Sequence, residues 1–476
     1  MGRIAIWGFL LLAAGLALPL SQVAPPSSDT VVVACAPLTS LDPLETSKID
    51  DMRVLGALDE ALTRCDPATG NPEPALAQGW DIAPDGRRWI FHLRPQARWS
   101  DGTAVLPAQV IEGLEQHRRL GSAFSELLAP VATITVDGQD LIITCHQPVP
   151  DLAARLALPV FAPRHPGLAP SADPTRHIGN GPMVCRSWVL RHRVDLVPNP
   201  TYDGPHPARG PVRLRIVNDP ATALRLYLDG QLDVIPSLTS DTAGAIRRAG
   251  LPGLTQATGW GTEVYRIRAG AMTPAAAARL SAAIDRQALV QELLDGFGTP
   301  AQGLIPGSRH PGPAVDDRTA IPNLDLMIPA GRPDRLRVAE HLIATWREHL
   351  GATVRLVTLP ATELAARERT RSYDLSRGSL VGDTTDPLGF LAAFTTGAGM
   401  NRTGWSDPTY DALVQAAAAP GTDRPARLEA AERRLLEAGV VIPLYHYAAL
   451  MLVRPGVEGA AANPWELVHL SSLGRK

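Results

Sequence analysis

Asp85-Gly86-Arg87-Arg88-Trp89-Ile90-Phe91-His92-Leu93-Arg94, followed by Trp99-Ser100-Asp101-Gly102-Thr103, is the stretch from which the chain is best read. Trp89 to Leu93 is a strand-like run closed by Pro95, where a ladder donor is lost. Upstream, Val31-Val32-Val33-Ala34-Cys35 reads as a first buried strand. Downstream, Ala132 to Val136 and Leu141 to Cys145 flank Asp137-Gly138, a hairpin signal. Val194 to Val197 and Val212 to Val217 are further strands. Helices alternate with them. Leu106 to Leu120 carries Val110 and Leu114 at helical spacing, and Ala275 to Leu294 sets Leu280, Ile284, Leu289 and Leu293 on one side. Leu336 to Leu350 ends at Gly351, a C-cap residue, and leads into a strand over Thr353 to Val357. Arg427 to Ala438 adds a charge-paired helix. This order predicts a mixed α/β fold with more than one sheet. Pro306 to Pro333, rich in Pro, Gly and Asp, reads as a surface loop.

The 476 residues are enough for two to four domains. Hydrophobic residues are 45% and charged residues 20%, the proportions of a folded globular chain. A formal net charge of −3 argues against dedicated nucleic-acid binding. Arg3 precedes the uncharged, mostly apolar Ile4 to Leu20, and Pro25-Pro26 follow. That order predicts a signal peptide over residues 1–24, with an uncleaved anchor as the alternative. Val32-Val33-Ala34-Cys35 resembles a lipoprotein box, but Pro25 to Thr30 separate it from the apolar run it should abut. Cys35, Cys65, Cys145 and Cys185 fit no zinc spacing, and both two disulfides and free buried thiols remain open. There is no GxSxG, no HExxH and no Walker lysine loop, so no catalytic constellation supports an enzyme. An exported α/β chain of this size is most economically a binding protein, with no cofactor expected.

Short motifs sharpen that reading. In order they are Ser40-Leu41-Asp42-Pro43, Pro74-Ala75-Leu76-Ala77-Gln78-Gly79-Trp80, the two stretches quoted first, Gly179-Asn180-Gly181-Pro182, Asn199-Pro200-Thr201-Tyr202, Gly230-Gln231-Leu232-Asp233, Ala283-Ile284-Asp285-Arg286 and Ile442-Pro443-Leu444-Tyr445. Together, from about Val31 to Gly459, they resemble the family 5 extracellular solute-binding proteins that feed peptides and nickel to ABC transporters. The resemblance implies a type-II periplasmic binding protein with two lobes, a hinge and an extra domain on the first lobe. By analogy, the first lobe is 30–58, 175–259 and 446–476, the extra domain is 59–174, and the second lobe is 260–445.

The resemblance also implies site residues. Asp383, in Val381-Gly382-Asp383-Thr384-Thr385-Asp386-Pro387, matches the position that grips a peptide's α-ammonium in dipeptide and oligopeptide binders. Taken alone, the segment reads as a turn. Arg377 falls where an arginine lies near the C-terminal end of short peptides, and its fork suits a carboxylate. Tyr447 matches a cleft tyrosine and Ser237 a polar cleft position. Ser379, Leu380 and Val381 are expected to pair with an extended peptide through backbone. Trp260, between two glycines, lines the hinge or packs. Leu380 stands where oligopeptide binders often carry Trp, and Arg268 where most members carry Asn.

The expectation is an exported, periplasmic, monomeric substrate-binding protein that captures short peptides with a free N-terminus. It would deliver them to an ABC permease and its ATPases, without covalent chemistry. The alternatives are the same fold with a nickel chelate, opine or sugar, a peptide-sensing receptor, and an exported hydrolase.

Overall fold

The structure, a computed structural model, describes residues 28–46, 48–167, 173–310, 315, 318–382 and 384–476. The expected signal segment 1–24 and Asp383 lie outside the described residues.

Apolar runs of period two, punctuated by Gly and Pro, build two main sheets. The larger has eleven strands. Two long antiparallel strands, Leu254–Ile267 and Val441–Val453, run through its middle. On one side lie Val234–Ile235, Val31–Cys35, Val212–Ile216, Arg193–Pro198 and Met183–Val189, in that spatial order. On the other side come Leu375–Val381, Leu324–Pro329 and Val354–Leu359. Parallel pairs with helical crossovers sit on both sides of the central pair, which makes the fold mixed α/β. The smaller, four-stranded sheet is antiparallel and runs Ala77–Ile82, Arg88–Leu93, Asp140–Cys145, Val131–Asp137. The Asp137-Gly138 turn closes its hairpin, with Gly138 at φ 61°, a conformation glycine adopts without steric cost.

Each sheet region has its own apolar core. Trp89, Phe91, Trp99, Leu114, Ile143 and Phe161 fill the small-sheet side. Val33, Leu196, Leu214, Val234 and Met451 pack between the N-terminal strand and the chain's end. Beyond the central strands, Tyr265, Leu326, Leu342 and Trp346 form one cluster, and Val264, Phe390, Tyr410 and Leu435 another. Burying side chains of this size stabilises by roughly 1.5–3 kcal/mol each.

Several expectations change. The stretch Pro306 to Pro333 is not only loop: Leu324–Pro329 is a strand paired in parallel with Val354–Leu359. Its flanking prolines and Asp325 hide a run whose Leu324, Leu326 and Ile328 are buried. The helix expected over Ala275 to Leu294 is broken. It stops at Ala282, and Asp285 caps a new short turn by accepting the Ala288 N–H at 2.9 Å, an alternative the Asp side chain offers to helical bonding. All four cysteines are free thiols. Burial pushes the thiols of Cys65 and Cys145 up to about 11 and that of Cys185 to about 12, so they stay protonated and unreactive at neutral pH.

Candidate ligand-binding cleft

The central strands pair from Leu254–Leu452 to Thr258–Ala448, and resume at Thr262–His446. Between these segments Gly259-Trp260-Gly261 face Tyr447 out of register. A Cβ on Gly261 would stand 2.8 Å from Tyr447 Cδ2, and one on Gly259 would stand 3.0 Å from the Tyr447 carbonyl oxygen. Glycine on both sides of Trp260 is what lets the two strands approach there. The Trp260 N–H donates to the Pro464 carbonyl at 3.0 Å, and its carbonyl accepts the Gly382 N–H at 3.0 Å. Its ring meets Phe390 and Trp465 edge-on, at 5.5 and 5.7 Å. Trp260 therefore joins three chain segments at the crossing.

Three adjacent strands bring a buried charge network together there. Arg377 Nε donates to Glu263 Oε1 at 2.6 Å, and its Nη2 bonds the other oxygen. Tyr447 Oη lies against the same carboxylate, 3.2 Å from Arg377 Nη2 and 2.7 Å from Ser379 Oγ. Burial works against the Arg377 charge, but the Glu263 carboxylate outweighs it and raises the guanidinium pKa. Burial, reinforced by Glu263, pushes the Tyr447 phenol well up. Arg377 and Tyr447, each singled out by the resemblance, are neighbours, and the fork of Arg377 is taken by Glu263.

Leu375–Val381 pairs along its whole length with Leu254–Ile267. On its other edge, Leu324–Pro329 pairs only with Leu375 and Ser376. From Arg377 to Val381 that edge has no strand partner among the described residues; a long 3.4 Å contact from Arg266 Nη2 reaches the Ser379 carbonyl. The Leu380 side chain is buried beside Phe390 and Phe394, whereas Val381 is 65% exposed. Ser237 donates to Glu466 Oε2 at 2.9 Å.

Two adjoining cavities lie around these residues. One of about 520 Å³ is lined by Ser237, Tyr445, Tyr447, Arg335 and Glu466. The other, about 390 Å³, is lined by Trp260, Trp465, Phe124, Met52 and Val381 and is mostly apolar. They share Arg53, Tyr447, Ala448 and Glu466. A cavity of about 680 Å³ elsewhere, beside Arg286 and Pro443, is lined by none of the expected site residues.

Charge balance in the first cavity is uneven. Arg332 pairs with both oxygens of Asp334, at 3.2 and 3.0 Å. Arg335 reaches Asp334 only at 3.8 Å and has no nearer acidic partner among the described residues. Burial pushes its pKa down, against the pull of Glu263. Arg335, Glu263 and Glu466 were missed in the sequence. Glu263 carries a signal, a lone acid in the buried second half of its strand. Arg335 and Glu466 carry none, because their place is set by contacts far along the chain.

Residues 71–323 match the family of bacterial extracellular solute-binding proteins, family 5 Middle. The chain belongs to that family. It is similar to the probable deoxycholate-binding periplasmic protein YgiS of Escherichia coli, 26% identical, with 91% of each chain covered. It is also similar to the periplasmic murein peptide-binding protein MppA of the same organism, at 25% identity over 91% of this chain and 90% of that one. Among solved structures, HbpA2 from Haemophilus parasuis matches with a TM-score of 0.82 at 20% identity, over 94% of this chain and all of that one. The fold of this family 5 chain is accordingly that of the type-II periplasmic binding proteins, as the sequence motifs imply, and its relatives are binding proteins rather than enzymes.

Proposed function

We propose that this chain is the periplasmic ligand-capturing component of an ABC importer and that it binds short peptides with a free N-terminus. The observation that carries this reading is the edge of Arg377 to Val381, without a strand partner among the described residues, which ends with Val381 on the wall of the apolar cavity. An extended peptide adds to such an edge as a further strand, gaining main-chain hydrogen bonds that do not depend on its side chains. Ser379, Leu380 and Val381 supply the backbone. Asp383, by resemblance, takes the α-ammonium. Tyr447, Ser237 and Trp260 line the cleft. Arg335, whose charge is the less compensated, takes the ligand carboxylate in the role first given to Arg377. Arg377 then acts as a positioning residue, holding Glu263 and Tyr447.

The lobes are 30–58, 175–259 and 446–476 on one side and 260–445 on the other, with the extra domain at 59–174. Apolar clusters that fall mostly within each part support the division, with Met52, Leu55 and Ile178 of the first lobe packing against the extra domain's core. Contacts across it, Arg337 to Asp241 and Thr384 to Asp151, both at 2.8 Å, would stabilise a closed form. Ligand binding shifts the population toward that form, which the permease and its ATPases recognise. A signal peptide over residues 1–24 exports the chain, which then acts as a monomer.

A second reading has its own support. The apolar second cavity, the weakly paired Arg335 guanidinium in the adjoining one and a relative named for deoxycholate suit an apolar monoanion. Native mass spectrometry of protein purified from a periplasm tests both. Release of a ladder of short peptides supports the first reading. A single non-peptide mass, or no response to a peptide library, overturns it.

A further inference from the structure

Glu466 is one of four non-glycine residues with positive φ among those described, at 54°. It alone of the four lines both adjoining cavities. An L-residue adopts this conformation at a steric cost that local contacts must offset. Here Arg53 Nη2 donates to the Glu466 carbonyl at 2.8 Å, and the Glu466 N–H donates to the Asn463 carbonyl at 3.1 Å. Asn463 Oδ1 also accepts the Trp465 and Leu467 N–H groups, at 3.2 and 3.1 Å. The loop is thus tied down on both sides of a residue whose carboxylate is delivered to the point where the cavities meet.

Among the described residues, the carboxylate itself has no cationic partner. Other acids on the first cavity are engaged: Asp50 with Arg53 at 2.7 Å, Asp241 with Arg337 at 2.8 Å, Asp334 with Arg332 at 3.0 Å, and Asp219 as a helix cap. Arg53 bonds the backbone of Glu466, not its side chain. Among the described residues, only the Ser237 hydroxyl bonds the carboxylate, through Oε2. A partly enclosed, uncompensated carboxylate favours a cation, because the pair gains a charge-assisted hydrogen bond where water competes weakly.

We propose that Glu466 is a specificity-determining residue that receives a cationic side chain of the ligand, an ammonium or guanidinium, at the junction of the two cavities. This rests on the peptide-binding reading above. The test is calorimetry on trialanine and on three tripeptides carrying one lysine at each position, each paired with its Nε-acetyl-lysine counterpart. Wild type should prefer lysine at one position by about tenfold or more. Glu466→Gln should bring that ratio close to one and leave the acetyl-lysine affinity and the melting temperature unchanged. Glu466→Lys should turn the preference at the same position toward glutamate. If wild type binds trialanine but does not discriminate, or Glu466→Gln still discriminates, the role of Glu466 is overturned and the peptide reading stands. A uniform loss for every free-amine peptide in Glu466→Gln moves the carboxylate to the N-terminus and overturns the side-chain role. If no peptide binds, the peptide reading falls and this inference with it.

Discussion

Arg377 and Glu263 form a two-pronged ion pair between neighbouring strands, with Nε 2.6 Å from Oε1 and the Glu263 side chain only 2% exposed. Tyr447, from the strand on the other side of Glu263, bonds the same carboxylate and also Ser379 Oγ, two residues along from Arg377. The network lies on the central strands beside the cavity that Tyr447 lines, and the Arg377 fork is engaged by Glu263.

Removing one side of that pair tests this. Glu263→Gln leaves the guanidinium buried without its counter-ion, a change that typically costs about 3–5 kcal/mol. Urea denaturation should register the loss. Glu263→Gln combined with Arg377→Met should recover part of it, since no charge is then stranded. A single variant as stable as wild type would contradict the structural role.

The carboxylate role divides the two arginines. Arg335→Gln should weaken binding of a free-carboxylate tripeptide by about 1.4 kcal/mol or more, which is tenfold. It should leave the matching C-terminal amide almost unaffected. Calorimetry on both ligands checks it, and equal losses for acid and amide would remove Arg335 from that role.

His446 makes the crossing acid-sensitive. Its Nδ1 lies 2.8 Å from Thr262 Oγ1, and burial lowers its pKa to about 4. The folded state therefore binds this proton less readily than the unfolded chain, where the value is about 6.5. The stabilising contribution is fully present above about pH 6.5 and is lost as pH falls through about 4, amounting to roughly 3 kcal/mol. Thermal melts from pH 7 to 4 should fall less steeply in His446→Gln than in wild type.

Gly382 tests the packing at Trp260. A Cβ there would stand 2.4 Å from Trp260 Nε1 and 2.9 Å from Phe390 Cε2. Gly382→Ala should destabilise by about 1–3 kcal/mol through overpacking and should change tryptophan fluorescence. Trp260→Phe in the same background should relieve part of the loss. An alanine variant with wild-type stability and emission would contradict the contact.

The sequence alone determined what depends on local chemistry and ordered motifs. The strands at Val31 to Cys35 and Trp89 to Leu93, the Asp137-Gly138 hairpin and the Gly351 helix stop follow from periodicity and backbone preference, which act over a few residues. The spaced motifs identified the family in the same way, and the resemblance singled out Tyr447, Ser379 and Arg377 one by one, without their mutual contact. The tertiary structure decided which charges stay available. Glu263 and Arg377 are separated by 114 positions in the chain, and Glu466 and Ser237 by 229, so no local pattern could predict that one pair cancels and the other leaves a carboxylate open. Leu324–Pro329 was hidden for a related reason. Its flanking prolines read locally as a loop, while its burial comes from a partner strand some thirty residues later. Short-range propensity is written in adjacent residues. Charge compensation depends on distance in space, and only the folded chain sets that distance.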